Sequence, residues 1–173
     1  MSNEALKAST SDPTWSELMT AWEQECSDYE ENLADYASAS LPILDELARG
    51  TPTLNAATYV LKVAGAPKAA FQANRTFLPG YTGKVLRIRH IVTSPKFDFD
   101  NTIDYDEYID VMVGVFSAAL DLAYGELASD HIKFHLKSPV ERTFGHNFTD
   151  ALRGDGAFKI ADIRGSWIYL SKV

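Results

Sequence analysis

Cysteine is nearly absent from this chain. Cys26 is the only one among 173 residues, so no intrachain disulfide can form and a reducing compartment suits the protein. No apolar run approaches the roughly 18 residues that span a bilayer, so no membrane partner is expected. The opening stretch MSNEALKASTSD lacks a basic segment leading into an apolar one, which is the pattern of a secretory signal. The expected location is cytoplasmic. No internal repeat or low-complexity tract is visible. The hydrophobic fraction is 46%, with three Trp, nine Phe and eight Tyr. That composition can fill a core, the length fits one domain, and the signature of disorder is missing.

The net charge of −8 is unevenly spread. Residues 1–50 hold eleven acids and two bases, and residues 51–173 hold thirteen acids and fourteen bases. The acidity therefore belongs to the N-terminal helices. It is either a solvated helix face or a surface that attracts a basic substrate. It disfavours nucleic acid as a partner, although a local basic patch can outweigh net charge.

Residues 1–11 read as a flexible tail, and 12–173 as a single domain. Asp12 can cap a helix that has Pro13 at its first position. Trp15, Leu18, Met19, Trp22, Cys26, Tyr29, Leu33 and Tyr36 then follow at spacings of three and four, an amphipathic stripe. This aromatic helix can also pair with a second copy in a homodimer. A second helical piece covers 41–49 and ends at Gly50. Strands are expected at 59–63, 69–77 and 84–93, joined by short turns as a meander. After a loop at 94–103, Asp104 and Glu107 form a capping-box signature for a long helix to about 128. Residues 131–137 alternate strictly, His131, Lys133, His135 and Lys137 against Ile132, Phe134 and Leu136, as a half-buried strand does. Ser138 and Glu141 form a second capping box, with a helix to Arg153, and 158–163 and 166–171 close as a hairpin. A strand–helix–strand crossover after a meander argues for a mixed sheet covered by helices on both faces.

Several residues carry chemistry. His90 and His135 have the unperturbed pKa of a base that can deprotonate an amine; a hydrogen-bonded core histidine and an exposed strand face are the plainer readings. Arg75, Arg87 and Arg89 form a basic cluster suited to a carboxylate, a phosphate or nucleic acid, or to pairing with the acidic helices. Asn74 shares a strand face with Gln72 and can orient a substrate. Asp98, Asp100, Asp104 and Asp106 suit a hard cation, but a solvated acidic loop accounts for them and no metal is assigned. Cys26 lies on an apolar stripe and reads as structural.

The element order resembles the GCN5-related N-acetyltransferase fold over roughly residues 55 to 173, and Val92-Thr-Ser-Pro95 is similar to the segment that ends the family's cofactor-side strand. The resemblance implies an α/β (α+β) fold with a mixed, mostly antiparallel sheet, and an acyl-CoA-dependent N-acyltransferase acting on an amine, small or macromolecular. Acetyl-CoA or another acyl-CoA would lie beside 84–93, positioned by Ile91, Val92, Thr93, Ser94 and Lys96. The strands 84–93 and 131–137 would part, with the acyl group between them. His90 and His135 would do the acid/base work, with Ser138 near the leaving thiolate and His146 in the helical region that often supplies a general acid. One segment departs from the family. Its Arg/Gln-x-x-Gly-x-Gly/Ala loop is replaced by Lys96-Phe-Asp-Phe-Asp-Asn-Thr-Ile-Asp-Tyr-Asp106, with no glycine between Ser94 and Gly114. An anion there meets four aspartates, and about 1 kcal/mol of repulsion per close charge pair in water. Three accounts stay open: phosphates held elsewhere, by Lys96 and residues of Pro139–Arg153; another donor, as the resemblance to divergent members, phage DNA-base modifiers among them, implies; or a binding or regulatory protein without turnover.

Overall fold

The structure, a computed structural model, describes residues 3–154 and 156–173. Among them, in chain order, are β1 (Asn3–Lys7), α1 (Thr14–Asp28), α2 (Leu41–Arg49), β2 (Ala56–Val63), β3 (Ala66–Phe77), β4 (Lys84–Thr93), α3 (Lys96–Phe99), α4 (Tyr105–Tyr124), β5 (His131–His135), α5 (Pro139–Arg153), β6 (Phe158–Arg164) and β7 (Trp167–Lys172). The strands hydrogen-bond in the order β1-β2-β3-β4-β5-β7-β6. The β4–β5 pair is parallel, while β1–β2, β5–β7 and β6–β7 are antiparallel. This is the mixed, mostly antiparallel sheet that the sequence implies.

The chain forms two compact units. The first holds the chain up to Gln72 and His90–Ala118; the second holds Ala73–Arg89 and Ala119–Val173. Three elements, β3, β4 and α4, contribute residues to both.

In the first unit the expected tail is corrected. Residues 3–7 are a strand, paired from Asn3↔Val63 to Lys7↔Tyr59, and the Ala8 amide donates to the Thr58 carbonyl at 2.9 Å. Ala5 and Leu6 are too short an apolar signal to announce it. Met1 and Ser2 lie outside the described residues. Helix α1 ends at Asp28, before the apolar stripe does. Glu30 turns the chain at a positive φ of 58°, yet Leu33 and Tyr36 still pack on the core, so the pattern outlives the helix. Trp15, Leu18 and Trp22 of α1 join Leu41 and Leu44 of α2 against Val60, Ala70 and Val92. The next residue on β2, Leu61, meets α4 instead: a Cβ on Gly114 would sit 2.8 Å from its Cδ2. Neighbouring strand residues face opposite sides. So α1 and α2 cover one face of β2 and α4 the other, which is why Tyr59-Val-Leu61 is a continuous apolar run.

The second unit is covered differently. Ile132, Phe134 and Leu136 are fully buried, with α5 packed over them, while His131, Lys133 and His135 are only half-buried. The Ser138–Glu141 capping box starts α5 as the sequence predicts. Gly145 lets that helix come close. A Cβ there would lie 2.6 Å from Leu136 Cδ1, 3.1 Å from Ile168 Cδ1 and 3.3 Å from Ile163 Cδ1. Alanine is the better helix former by about 1 kcal/mol, but overpacking a buried contact costs about 1–3 kcal/mol. Gly145→Ala is therefore expected to lower the unfolding free energy by up to about 2 kcal/mol, the difference of those terms. Urea denaturation checks this; a gain in stability would show that α5 does not pack so closely.

Candidate active site

Each unit holds one candidate stretch: the end of β4 in the first, and the β4–β5–β7–β6 face in the second. The parallel ladder runs from Val85↔His131 to Ile88↔Phe134 and stops there. Two residues on, His90 takes a φ of +51°. Few non-glycine residues adopt that region, although His is enriched among those that do. The local cost is about 1–3 kcal/mol. The irregularity also breaks the alternation of β4. Arg89 and His90 are both half-buried, and Ile91 and Val92 are both buried. The buried Ser40 hydroxyl lies 3.3 Å from His90 Nδ1.

Beyond His90, β4 is tied into its own unit. The Thr93 carbonyl accepts from the Tyr36 hydroxyl at 2.8 Å. Ser94 is fully buried; its hydroxyl donates to Glu25, and its amide donates to the Lys68 carbonyl at 2.8 Å. Ser94, expected to hold a cofactor, is thus engaged in a structural clasp. Burial, and then the nearby Asp98 charge, raises the Tyr36 phenol well above its ordinary pKa. Tyr36 also meets Phe99 at 5.6 Å and Trp22 at 6.5 Å between ring centroids. The sequence presents Tyr36 only as one apolar position of a helix, so its role as a latch on β4 is not visible there.

The loop after β4 contains the short α3. Asp100 Oδ1 accepts from the Thr102 amide at 2.9 Å and the Thr102 hydroxyl at 2.6 Å. Those bonds and the Tyr29 hydroxyl hold the Asp100 carboxyl below its usual range. Asp104 Oδ1 accepts from the Asp106 amide at 3.2 Å, and its carbonyl takes the Glu107 amide at 3.0 Å. The expected capping-box partner, Glu107, turns away to Lys68 Nζ at 3.1 Å. An anion at a helix start is held by free amides and the positive end of the dipole. Here those amides already serve aspartates, and Asp98, Asp104, Asp106 and Glu107 are exposed around them. The α4 N-terminus does not fit the pyrophosphate of coenzyme A. Among the described residues no three His, Cys, Asp or Glu side chains converge as a metal site requires.

In the second unit, register places Arg87 opposite Lys133, Lys133 opposite Tyr169, and His135 opposite Trp167. The His135 ring lies against Trp167 with centroids 4.6 Å apart. Burial first, then Lys137 and Arg89, push the His135 imidazole below its ordinary pKa. Burial and Arg89 do the same to Arg87, and burial and Arg87 to Lys133. Asn74 and Arg75, on β3, are half-buried in the same unit. Ser138 is occupied as the α5 cap, its hydroxyl accepting from the Glu141 amide at 3.1 Å. His146 is exposed on α5. Cys26 is buried, and that burial raises its thiol pKa.

No family model and no curated protein matches this chain. Solved structures similar to it are acetyltransferases. AAC(6′)-Iy, in complex with the bisubstrate analogue CoA-S-monomethyl-acetylneamine, is 12% identical, with a TM-score of 0.47 over 95% of this chain and 99% of that one. An acyl-CoA N-acyltransferase from Pseudomonas aeruginosa is 12% identical, with a TM-score of 0.44 over 99% of this chain and 100% of that one. A Bacillus subtilis acetyltransferase in complex with CoA is 12% identical, with a TM-score of 0.45 over 99% of this chain and 98% of that one.

Removing the latch on β4 leaves the Thr93 carbonyl without its phenol donor. Tyr36→Phe is expected to cost about 1–2 kcal/mol, the range for a lost, partly buried hydrogen bond. Thermal or urea unfolding reads it out; an unchanged midpoint would show that the bond is not retained in solution.

Proposed function

We propose that the protein transfers an acyl group to an amine, from an activated donor that is not anchored by a pyrophosphate at the α4 N-terminus. The observation that supports this is the β4–β5 ladder ending at Ile88↔Phe134, followed by the strained backbone at His90. Where the pairing stops, backbone groups of β4 are left for a ligand, and strained backbone recurs at functional segments.

The chemistry needs few parts. The amine nitrogen attacks the acyl carbon, the new C–N bond forms, and the leaving group departs with its electron pair. A neutral histidine takes the proton released by the nitrogen. His135 suits this task because burial and the cations Lys137 and Arg89 keep it unprotonated at neutral pH. His90, beside Ser40, is the other candidate. Ile91, Val92 and Thr93 would align the donor through their backbone groups. Arg87, Arg89, Asn74 and Arg75 would meet the acceptor, while Lys96 would serve the donor. A second reading, a binding or regulatory protein without turnover, draws on one observation: the amides that should face phosphate already serve Asp100 and Asp104.

Acyl transfer to a panel of small amines and to lysine peptides, followed by mass spectrometry, separates these. S-acetyl-pantetheine, which has no pyrophosphate, is expected to serve at least as well as acetyl-CoA. A preference for acetyl-CoA above about 100-fold, nearly 3 kcal/mol, would show that the pyrophosphate is bound after all. No product from either donor would leave the binding reading. With an active pair, kcat/KM should rise with pH through a value below 6.5, the ordinary histidine pKa, because the base must lose its proton and His135 loses it early. His135→Gln should remove that limb and cost about 100-fold or more in kcat; an unchanged profile would move the role to His90.

A further inference from the structure

The second unit carries a charge opposite to that of the chain. It holds eleven Lys and Arg against seven Asp and Glu, a balance of +4 within a protein of −8. Much of that charge gathers on one face of its sheet. Across the strands, Arg87 faces Lys133, Lys133 faces Tyr169, and Tyr169 faces Asp162. With strands about 4.8 Å apart, this row is about 14 Å wide. Asp162 already has partners, Arg164 at 2.9 Å and Arg153 at 3.6 Å. Among the described residues no ion pair joins Arg87, Arg89 or Lys133 to a carboxylate.

Aromatic rings are interleaved with these cations. Lys133 Nζ lies 4.6 Å from the centroids of both Trp167 and Tyr169, and 5.9 Å from Tyr81. The three rings come from the 78–83 loop and from β7, and each is half-buried. Trp and Tyr on a sheet normally go under a helix; here α5 covers the opposite face.

We propose that this face is a binding site for single-stranded nucleic acid, with phosphates on Arg87, Arg89 and Lys133 and unpaired bases against Tyr81, Trp167 and Tyr169. The inference shares Arg87 and Arg89 with the acceptor contacts proposed above, but it does not require acyl transfer. Burial first, and a cationic neighbour second, disfavours the charged forms of Arg87, Lys133 and His135, and a polyanion on this face would relieve that. A base has a flat π-face to stack on a ring, whereas the carboxylates of an acidic peptide gain nothing from one. A duplex hides its bases, so the rings favour a single strand. Four strands' width exceeds what one nucleotide needs, which favours a chain of them.

Fluorescence anisotropy of the full-length protein with labelled oligothymidylate of about 12 nucleotides, within the usual site sizes, tests this. Saturable binding is expected at low salt, with a log–log salt slope near −2 for three phosphate contacts at about 0.7 each. Arg87→Gln and Lys133→Gln should each weaken binding about tenfold and flatten the slope by about 0.7. Trp167→Leu should weaken it about fivefold to 100-fold, the range for one lost stacking contact. Lys62→Gln, which removes a first-unit cation paired to Glu17, should leave binding unchanged. If Trp167→Leu does not fold by circular dichroism, the two charge variants decide. Absence of binding at low salt overturns the proposal. So do equal competition by poly-glutamate, tighter binding of the matched duplex, and Arg87→Gln and Lys133→Gln binding like wild type.

Discussion

The parallel pairing of β4 with β5 sets where most of the side chains with chemistry stand. Strands that run the same way cannot be joined by a tight turn. The chain must leave β4, cross over through α4 and come back, and α4 is apolar on enough of its surface to be buried along the way. Four residue pairs, Val85↔His131 to Ile88↔Phe134, then fix a register that the rest of the second unit inherits. A slip of one residue would send Ile132, Phe134 and Leu136 to the open face and Lys133 and His135 under α5. Burying three large apolar groups contributes several kcal/mol at about 1.5–3 kcal/mol each, so the register is strongly held. The same register places Arg87, Lys133 and Tyr169 side by side.

Charge divides along the same lines. Most of the acids lie in the first unit, which carries −12, and the second carries +4. At the start of α4 the aspartates perform two roles that conflict with anion binding. Asp100 and Asp104 satisfy amides that would otherwise point at a phosphate. Asp98, Asp106 and Glu107 add negative charge around them. A helix start can be capped from within or by a ligand, and this one is capped from within. An anionic ligand that avoids the first unit finds Arg87, Arg89 and Lys133 in the second, none of them ion-paired among the described residues. The two observations are complementary: the amides before and at the start of α4 already serve aspartates, and Arg87, Arg89 and Lys133 lie elsewhere on the chain.

Much of the fold is legible in the sequence, because periodicity reports burial. β4 appears with its observed limits, and the alternation of 131–137 correctly gives one buried and one open face. The Ser138–Glu141 capping box is present as read. The failures have identifiable causes. β1 has too few apolar residues to register as a strand until β2 is beside it. α1 is overextended because Leu33 and Tyr36 pack on the same core after the helix has ended. A single left-handed residue, His90, breaks the period-two rule of β4, and no composition signal marks it. Tyr81, Lys133, Trp167 and Tyr169 are far apart in sequence, so only strand order collects them.

The contrast between Tyr59-Val-Leu61 and the 131–137 strand carries this reasoning to function. A strand covered on both faces has no room for a ligand, and its sequence is uniformly apolar. A strand covered on one face exposes every second side chain, and those positions are free to be charged. If solubility alone set them, Lys and Glu would be mixed and aromatic rings scarce. In this unit the open positions of β4, β5 and β7 are Arg87, Arg89, Lys133, His135, Trp167 and Tyr169. Keeping Trp167 and Tyr169 half-wet forgoes hydrophobic burial, and the contacts from Lys133 recover about 0.5–2 kcal/mol of it. Like-charged neighbours without carboxylates cost stability further. A face that stability and solubility both disfavour is best explained by what it binds, and its chemistry of cations with rings selects a ligand that is anionic and flat.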